Sequence, residues 1–337
     1  MTIKDVAKKA QVSIATVSLV INNNKRISEE TKQKVNSAIR DLNYYPSRSA
    51  RGLVSRKTGN IGFILTENHF LRSEPFYTQI FLGAEFEAHN KEFYVLLTTV
   101  PAASKSNNKL PRFVLEKNVD GIIIAGTVSH KLISALSGYT LPIVYVDYYP
   151  EGKESSAVLI DNYGGGKTAT EHLISLKHKN IAFLGGNISH PSIKHRFEGF
   201  KSALEAHKLP FGTNSSVVDE VDTSRDNGYK AAKKLLKNNP GVTAIFACND
   251  AVAIGAMQYL ASEGYSVPND ISIIGFDDVE PARLTIPALT TIAVPKQELG
   301  SEAVKLMNRL LEDKKVRSHT ITVGVELVVR NSTARKK

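Results

Sequence analysis

One cysteine, Cys248, stands among 337 residues. That excludes a disulfide framework and leaves no set of thiolates for a zinc site. No run approaches the eighteen or so consecutive apolar residues of a membrane span. The opening Met1-Thr2-Ile3-Lys4-Asp5 is not a charged-then-apolar segment, so no secretory signal is expected. These absences predict a reducing cytoplasm. Catalytic signatures are missing too: there is no His-Glu-x-x-His, no Gly-x-Ser-x-Gly and no cysteine pair. The stretch Gly164-Gly165-Gly166-Lys167-Thr168 suggests a phosphate loop, but a Walker A loop needs glycine at position 161, where Asp161 stands. It reads better as a cap followed by close strand–helix packing. His190 and His195 have no carboxylate or thiol between them and read as loop surface. The sequence predicts no catalytic or metal site and calls for no cofactor.

The net charge of +10 is informative because of where it sits. Residues 1–58 carry twelve Lys and Arg against four acids, Asp5, Glu29, Glu30 and Asp41. Arg335-Lys336-Lys337 ends the chain with three more positive charges. Residues 59–334 hold 28 basic and 29 acidic side chains, close to neutral. A small basic head on a neutral body implies a polyanion for the head and something else for the body.

Three short helical patterns fill residues 3–43. Ile3, Val6, Ala7 and Ala10 recur on one helix face. Gln11-Val12-Ser13 breaks the pattern, and Ser13 suits an N-cap for a second helix whose inward stripe is Val17, Val20 and Ile21. Ser28 can cap a third, with Val35, Ala38, Ile39 and Leu42 inward, before Pro46 ends the bundle. Two helices joined by a three-residue turn and braced by a third form the helix-turn-helix arrangement. With that stripe inward, Ile14, Ala15, Ser18, Leu19 and Asn22 face out. Exposed Ile14 and Leu19 suit either thymine methyl groups in a major groove or another protein surface. In Ser47 to Leu53, Arg48 and Arg51 lie on one side of a short helix ending at Leu53. That pattern fits a minor-groove wedge or a basic linker.

Thr2-Ile3-Lys4-Asp5-Val6-Ala7, Val12-Ser13, Ala15-Thr16-Val17-Ser18, Asn22, and Tyr45-Pro46 through Ala50-Arg51-Gly52-Leu53 closely resemble the LacI/GalR family of regulators, and the match continues over almost the whole chain. The resemblance implies that 47–53 is a hinge helix folding in the minor groove, with Leu53 intercalating. Position 19, often arginine or histidine in relatives, is Leu19, so their operators do not carry over. Residues and resemblance together give a DNA-contacting set of Thr2, Ser13, Ile14, Ala15, Thr16, Ser18, Leu19, Asn22, Lys25, Tyr45, Arg48, Arg51 and Leu53.

From residue 60 short apolar runs alternate with helical patterns. Strands are expected at 61–65, 93–98, 121–125, 143–147, 181–185, 244–248 and 271–276, and helices at 77–90, 163–177, 196–207, 225–237, 250–262 and 297–311. Such alternation means parallel sheets covered on both faces, and two fit the length. The expected fold is an all-α helix-turn-helix head (1–46), a hinge and linker (47–58), and an α/β effector domain of two lobes (59–337). The body resembles the type I periplasmic-binding-protein fold, with its ligand in the interlobe cleft.

Polar groups stand where strand ends should face that cleft. Asp147 closes one strand, Asn249-Asp250 and Asp277-Asp278 follow two others, and Arg196 opens a helix after a Gly185-Gly186 turn. Asp250 alone could cap its helix. Carboxylates, an amide and a guanidinium suit a neutral polyhydroxyl ligand, with Phe76 stacking on it. By resemblance Arg196, Asn249 and Asp277 match effector-contacting positions, and Asp147 matches one in some members. Two departures limit the carry-over. The loop before Pro75 is about four residues longer than the family spacing, and an aromatic lid of several relatives is replaced by Thr223. The expectation is a repressor binding a palindromic double-stranded DNA operator as a homodimer, controlled by a sugar-like effector. A purine-like corepressor is the alternative. A transport protein would lack the basic head, and an enzyme would need a nucleophile, an acid–base pair or a phosphate loop.

Overall fold

A computed structural model describes residues 1–21, 24, 26–44, 57–67, 75–101, 109–150, 155–188, 190–212, 216–218, 222–313 and 318–336. Three helices form the head: α1 (Ile3–Ala10), α2 (Ile14–Ile21) and α3 (Glu29–Asp41). Their caps are those the sequence offers. Ser13 Oγ accepts the Thr16 N–H at 3.0 Å and Ser28 Oγ accepts the Thr31 N–H at 3.3 Å. Gln11, at φ +54°, turns the chain between α1 and α2. Val6, Val17 and Val35 are fully buried at the centre, ringed by Ala7, Ala10, Val20, Ala38 and Tyr44. At about 1.5–3 kcal/mol per buried valine-sized side chain, these few contacts hold the three helices together.

The body continues with β1 (Asn60–Thr66), α4 (Phe76–Asn90), β2 (Tyr94–Val100), α5 (Arg112–Leu115), β3 (Gly121–Ala125), α6 (His130–Leu136), β4 (Ile143–Val146) and β5 (Ser156–Ile160). Then follow α7 (Asn162–Ser175), β6 (Ile181–Gly185), α8 (Pro191–Ala206), β7 (Ser216–Val218), α9 (Arg225–Asn238), β8 (Ala244–Ala247) and α10 (Asp250–Ser262). The last elements are β9 (Ser272–Asp277), α11 (Glu280–Leu284), β10 (Thr290–Ala293), α12 (Lys296–Glu312), β11 (Thr320–Val323) and β12 (Glu326–Val328). They build two six-stranded sheets, ordered β11-β5-β4-β3-β1-β2 and β12-β10-β9-β8-β6-β7. Every pair is parallel except β10 with β12. Strands β3, β6 and β8 are buried along their whole length. Parallel sheets covered on both faces demand such continuous apolar runs.

Three passages between the sheets join the lobes: β5 into α7, β10 into α12, and β11 into β12. Because α12 returns to pack on α4 and the first sheet, each lobe contains residues distant in sequence. Winding reverses between β1 and β3 in one sheet and between β6 and β8 in the other, the positions where open α/β sheets form ligand crevices at their carboxyl ends. Among the described residues no helix is long and apolar enough to cross a membrane.

Every expected strand and helix is present, with small shifts at the ends. The helix expected to start at Arg196 starts at Pro191, capped by His190, whose ring nitrogen accepts the Ser192 N–H. Arg196 therefore lies in the second turn and does not open the helix. Asn249 is the cap of α10, its Oδ1 taking the Val252 N–H at 2.8 Å, and Asp250 is the first helical residue. Asp161 caps α7 as expected, accepting the Gly164 N–H at 2.8 Å.

Candidate functional site

In the head, α2 carries no charged residue. Val17 and Val20 face the core, while Ile14 and Leu19 are 45% and 39% exposed, with Ala15 beside them. Ser13 and Thr16 bond to each other through their hydroxyls at 2.9 Å at the start of this helix. Thr2 gives its N–H and its hydroxyl to Asp5, at 2.7 and 2.9 Å, starting α1. These bonds hold the Asp5 carboxyl below its usual range. The arrangement can lay an uncharged, partly apolar strip against base edges. Asn22, Lys25, Tyr45, Arg48, Arg51 and Leu53 lie outside the described residues.

In the body, the expected polar groups gather at the carboxyl ends of β4, β8 and β9. Asp147, buried and at φ +58°, joins the lobes. Its Oδ2 accepts from the Tyr77 hydroxyl of α4 at 2.9 Å, and its Oδ1 from Ser192 of α8 at 2.8 Å. Phe76, half-buried at the start of α4, meets the Tyr77 ring edge-on at 5.1 Å.

Arg196 is 5% exposed and fully engaged. Its Nε donates to Asn162 Oδ1 at 2.7 Å and its Nη1 to the Cys248 carbonyl at 2.6 Å. Its guanidinium lies 3.7 Å from the centre of the Phe276 ring, and Nη2 stands 3.3 Å from Asp277 Oδ1. The glycine run explains this placement. A Cβ on Gly166 would stand 2.3 Å from the Arg196 carbonyl oxygen, and one on Gly165 2.7 Å from the Phe276 ring. Only glycine lets α7 approach α8 and β9 so closely. The run that suggests a phosphate loop is thus a packing device.

Asp277 has φ +111° and Asp278 φ +50°, so two successive residues leave β9 in left-handed backbone. Aspartate tolerates that region better than most residues, yet such positions cost on the order of 1–3 kcal/mol and cluster at functional sites. Asp277 Oδ1 is buried without a hydrogen bond, because Arg196 Nη2 is near but not aligned for one. Burial pushes the Asp277 carboxyl up to about 6, against the pull of Arg196 and Lys296. Asp278 behaves differently: Arg283 at 2.9 Å and Arg330 at 2.6 Å claim it for the fold. So does Asp250, fully buried, which accepts from the Thr291 hydroxyl and the Val279 N–H. Burial raises its carboxyl well above the usual carboxylate range, with Asp277 adding to the effect. Asn249 holds the Thr223 carbonyl through Nδ2 at 3.2 Å besides capping α10. Both of its polar atoms are therefore committed within the second lobe.

The structure thus brings Phe76, Asp147, Arg196 and Asp277 together where the two lobes meet, with Asn249 held inside the second lobe. It adds Tyr77, Asn162, Ser192 and Lys296, which the sequence reading missed. All four stand in the first turn of a helix, at the lobe boundary. A helix beginning straight after a strand end was the signal available for them.

Residues 2–47 match the bacterial regulatory proteins of the lacI family, and residues 170–333 match a periplasmic binding protein-like domain. An HTH-type transcriptional repressor PurR of Mannheimia succiniciproducens is 34% identical, with 98% of each chain covered. The lac repressor dimer bound to operator and the anti-inducer ONPF is similar in structure, with TM-score 0.82, 28% identity and 99% of each chain covered. A transcriptional regulator CelR–cellobiose complex has TM-score 0.76 and 29% identity, covering 98% of this chain and 99% of its own. Head, two-lobed body and full-length likeness agree, and the chain belongs to the LacI family of DNA-binding transcriptional regulators.

Proposed function

We propose that this protein is a repressor that binds a near-palindromic operator as a homodimer in the cytoplasm and is controlled by a small carbohydrate in its interlobe cleft. The domain limits we assign are 1–46 for DNA reading, 47–58 for the hinge and 59–337 for effector binding and dimerisation. The observation that carries the effector reading is the buried Asp277 Oδ1 at the end of β9, ion-paired to Arg196 but without a hydrogen bond. A buried carboxylate oxygen met only by the Arg196 ion pair at 3.3 Å has room for a ligand that donates, as sugar hydroxyls do. The CelR–cellobiose complex supports the carbohydrate class. The ligand acts by population shift, favouring one lobe arrangement and through it one state of the hinge.

A thermal-shift panel of mono- and disaccharides against nucleobases tests this, with binding confirmed by calorimetry. Nucleobases stabilising the chain while every sugar fails would overturn the carbohydrate assignment. A pH series gives a sharper result. Since ligand hydroxyls donate to the Asp277 carboxylate, affinity should be full above pH 7 and fall as pH drops through about 6, by up to roughly tenfold per unit. Asp277→Asn should bind weakly and show no such dependence. A parent chain whose sugar affinity is flat from pH 5 to 8 would remove Asp277 from the contact.

Dimerisation has its own test. Leu284 and Ile286 are 74% and 98% exposed beside α11, an apolar edge that a second copy of the chain would cover. Ile286→Asp should shift the protein to monomer in sedimentation at micromolar concentration and lower operator affinity at least tenfold. A stable dimer in that variant would place the interface elsewhere.

A further inference from the structure

Lys296 is the first residue of α12, where the positive end of the helix dipole disfavours a cation. A residue that breaks a local rule calls for a compensating interaction. Here the side chain turns away from its own helix. Its Nζ donates to the Asp277 carbonyl and, at 3.2 Å each, to the carbonyls of Asp278 and Val294. Helix α12 packs on α4 and the first sheet, whereas Asp277 and Asp278 end β9 of the second. The ammonium therefore sits on the passage from β10 into α12, where the lobes meet, and grips the left-handed turn that ends the neighbouring strand. It also lies 5.9 Å from the centre of the Phe76 ring, on the cleft side.

We propose that Lys296 is a positioning residue of the cleft: from the passage between the lobes it holds the main chain of the Asp277–Asp278 turn and so fixes where the Asp277 carboxylate stands for its ligand. The inference rests on the reading that Asp277 contacts the effector. Two backbone carbonyls of a strained turn, gripped by one ammonium, resist the relaxation that φ +111° would otherwise invite. Charged and titratable groups facing Asp277 are Arg196 on α8, Asp147 after β4, Asp250 on α10, the buried Cys248 and neighbouring Asp278. Lys296 is the cation that α12 adds to them. Burial lowers its own affinity for a proton, and the surrounding carboxylates restore part of it.

The test uses the full chain without ligand. Asp277 is followed by carboxyl carbon-13 NMR across pH, with Asp277→Asn for assignment, and amide exchange is read over residues 276–280. In Lys296→Met the Asp277 midpoint should rise by a unit or more and exchange in the turn should quicken at least tenfold. Lys296→Arg, which keeps the charge, should bring the midpoint back toward the parent. Should Lys296→Met not fold, Lys296→Gln removes the charge, keeps an N–H donor and reads the same titration. An unchanged midpoint or unchanged exchange overturns the proposal. If both move as expected while Asp277→Asn binds the saccharide panel as the parent does, the cleft assignment fails and the grip of Lys296 on the turn stands.

Discussion

Arg196→Ala should destabilise the protein by about 3–5 kcal/mol, and its loss of effector binding should follow from that collapse more than from a lost ligand contact. Breaking a buried ion pair by removing one partner leaves the other charge uncompensated, which is what sets this magnitude. Here the orphan is Asp277, already held up near 6 by burial with the arginine present. Two further acceptors lose their donors in the same stroke, Asn162 Oδ1 and the Cys248 carbonyl. The Phe276 ring loses the guanidinium lying over it. A body of this size should melt roughly 10 °C lower for such a loss. Asp277→Asn is the matched control. It is nearly isosteric and leaves Arg196 bonded to Asn162 and the Cys248 carbonyl, though without its carboxylate, so it should melt below the parent but above Arg196→Ala while losing ligand. Calorimetric melting of the two variants, each with and without the best-binding sugar, separates the roles. If Arg196→Ala melts like the parent but binds no sugar, Arg196 is a ligand contact and the mesh of bonds around it carries little.

That result bears on what the residues alone reveal. Asp147 and Asp277 are legible because a carboxylate directly after a short apolar, β-prone run lies at a strand's carboxyl end. Their backbone confirms the strain that such ends carry. Arg196 is legible as a member of the cleft but not as its structural centre, since its partners Asn162, Cys248 and Phe276 come from three other elements. Lys296 and Ser192 are hidden for a related reason. Each is a commonplace residue in a helical first turn, and only the passages between lobes decide that those turns face the cleft. Strands show the same division. Ile122-Ile123-Ile124 announces β3, whereas β10, Thr290-Thr291-Ile292-Ala293, carries two fully buried threonines that the sequence offers as polar. Thr291 is buried because Asp250 takes its hydroxyl, a pairing 41 residues apart in the chain. The head was legible nearly whole, since its caps and apolar stripes are local.

Leu53→Ala should cut specific operator affinity by roughly 10- to 150-fold while leaving non-specific DNA binding almost unchanged. Leu53 lies outside the described residues, and its wedge role is what the sequence and the family resemblance imply. An apolar side chain pushed between base pairs costs a few kcal/mol of unstacking, offset by the contacts that a kinked duplex permits. Alanine still leaves the step to be opened but fills it poorly. Losing the burial of a leucine-sized group is worth about 1.5–3 kcal/mol, which converts to the stated range. Non-specific binding rests on phosphate contacts from lysine and arginine, and Leu53 makes none. Arg51→Ala separates the two: it should weaken both kinds of binding and make the salt dependence shallower, because one phosphate contact is lost. If residues 47–53 were only a basic linker, Leu53→Ala would change neither affinity nor the bend in the DNA. Operator and random-sequence affinities at two salt concentrations, with a bending assay, distinguish the cases. An unchanged ratio of specific to non-specific affinity, with the bend intact, would rule the wedge out.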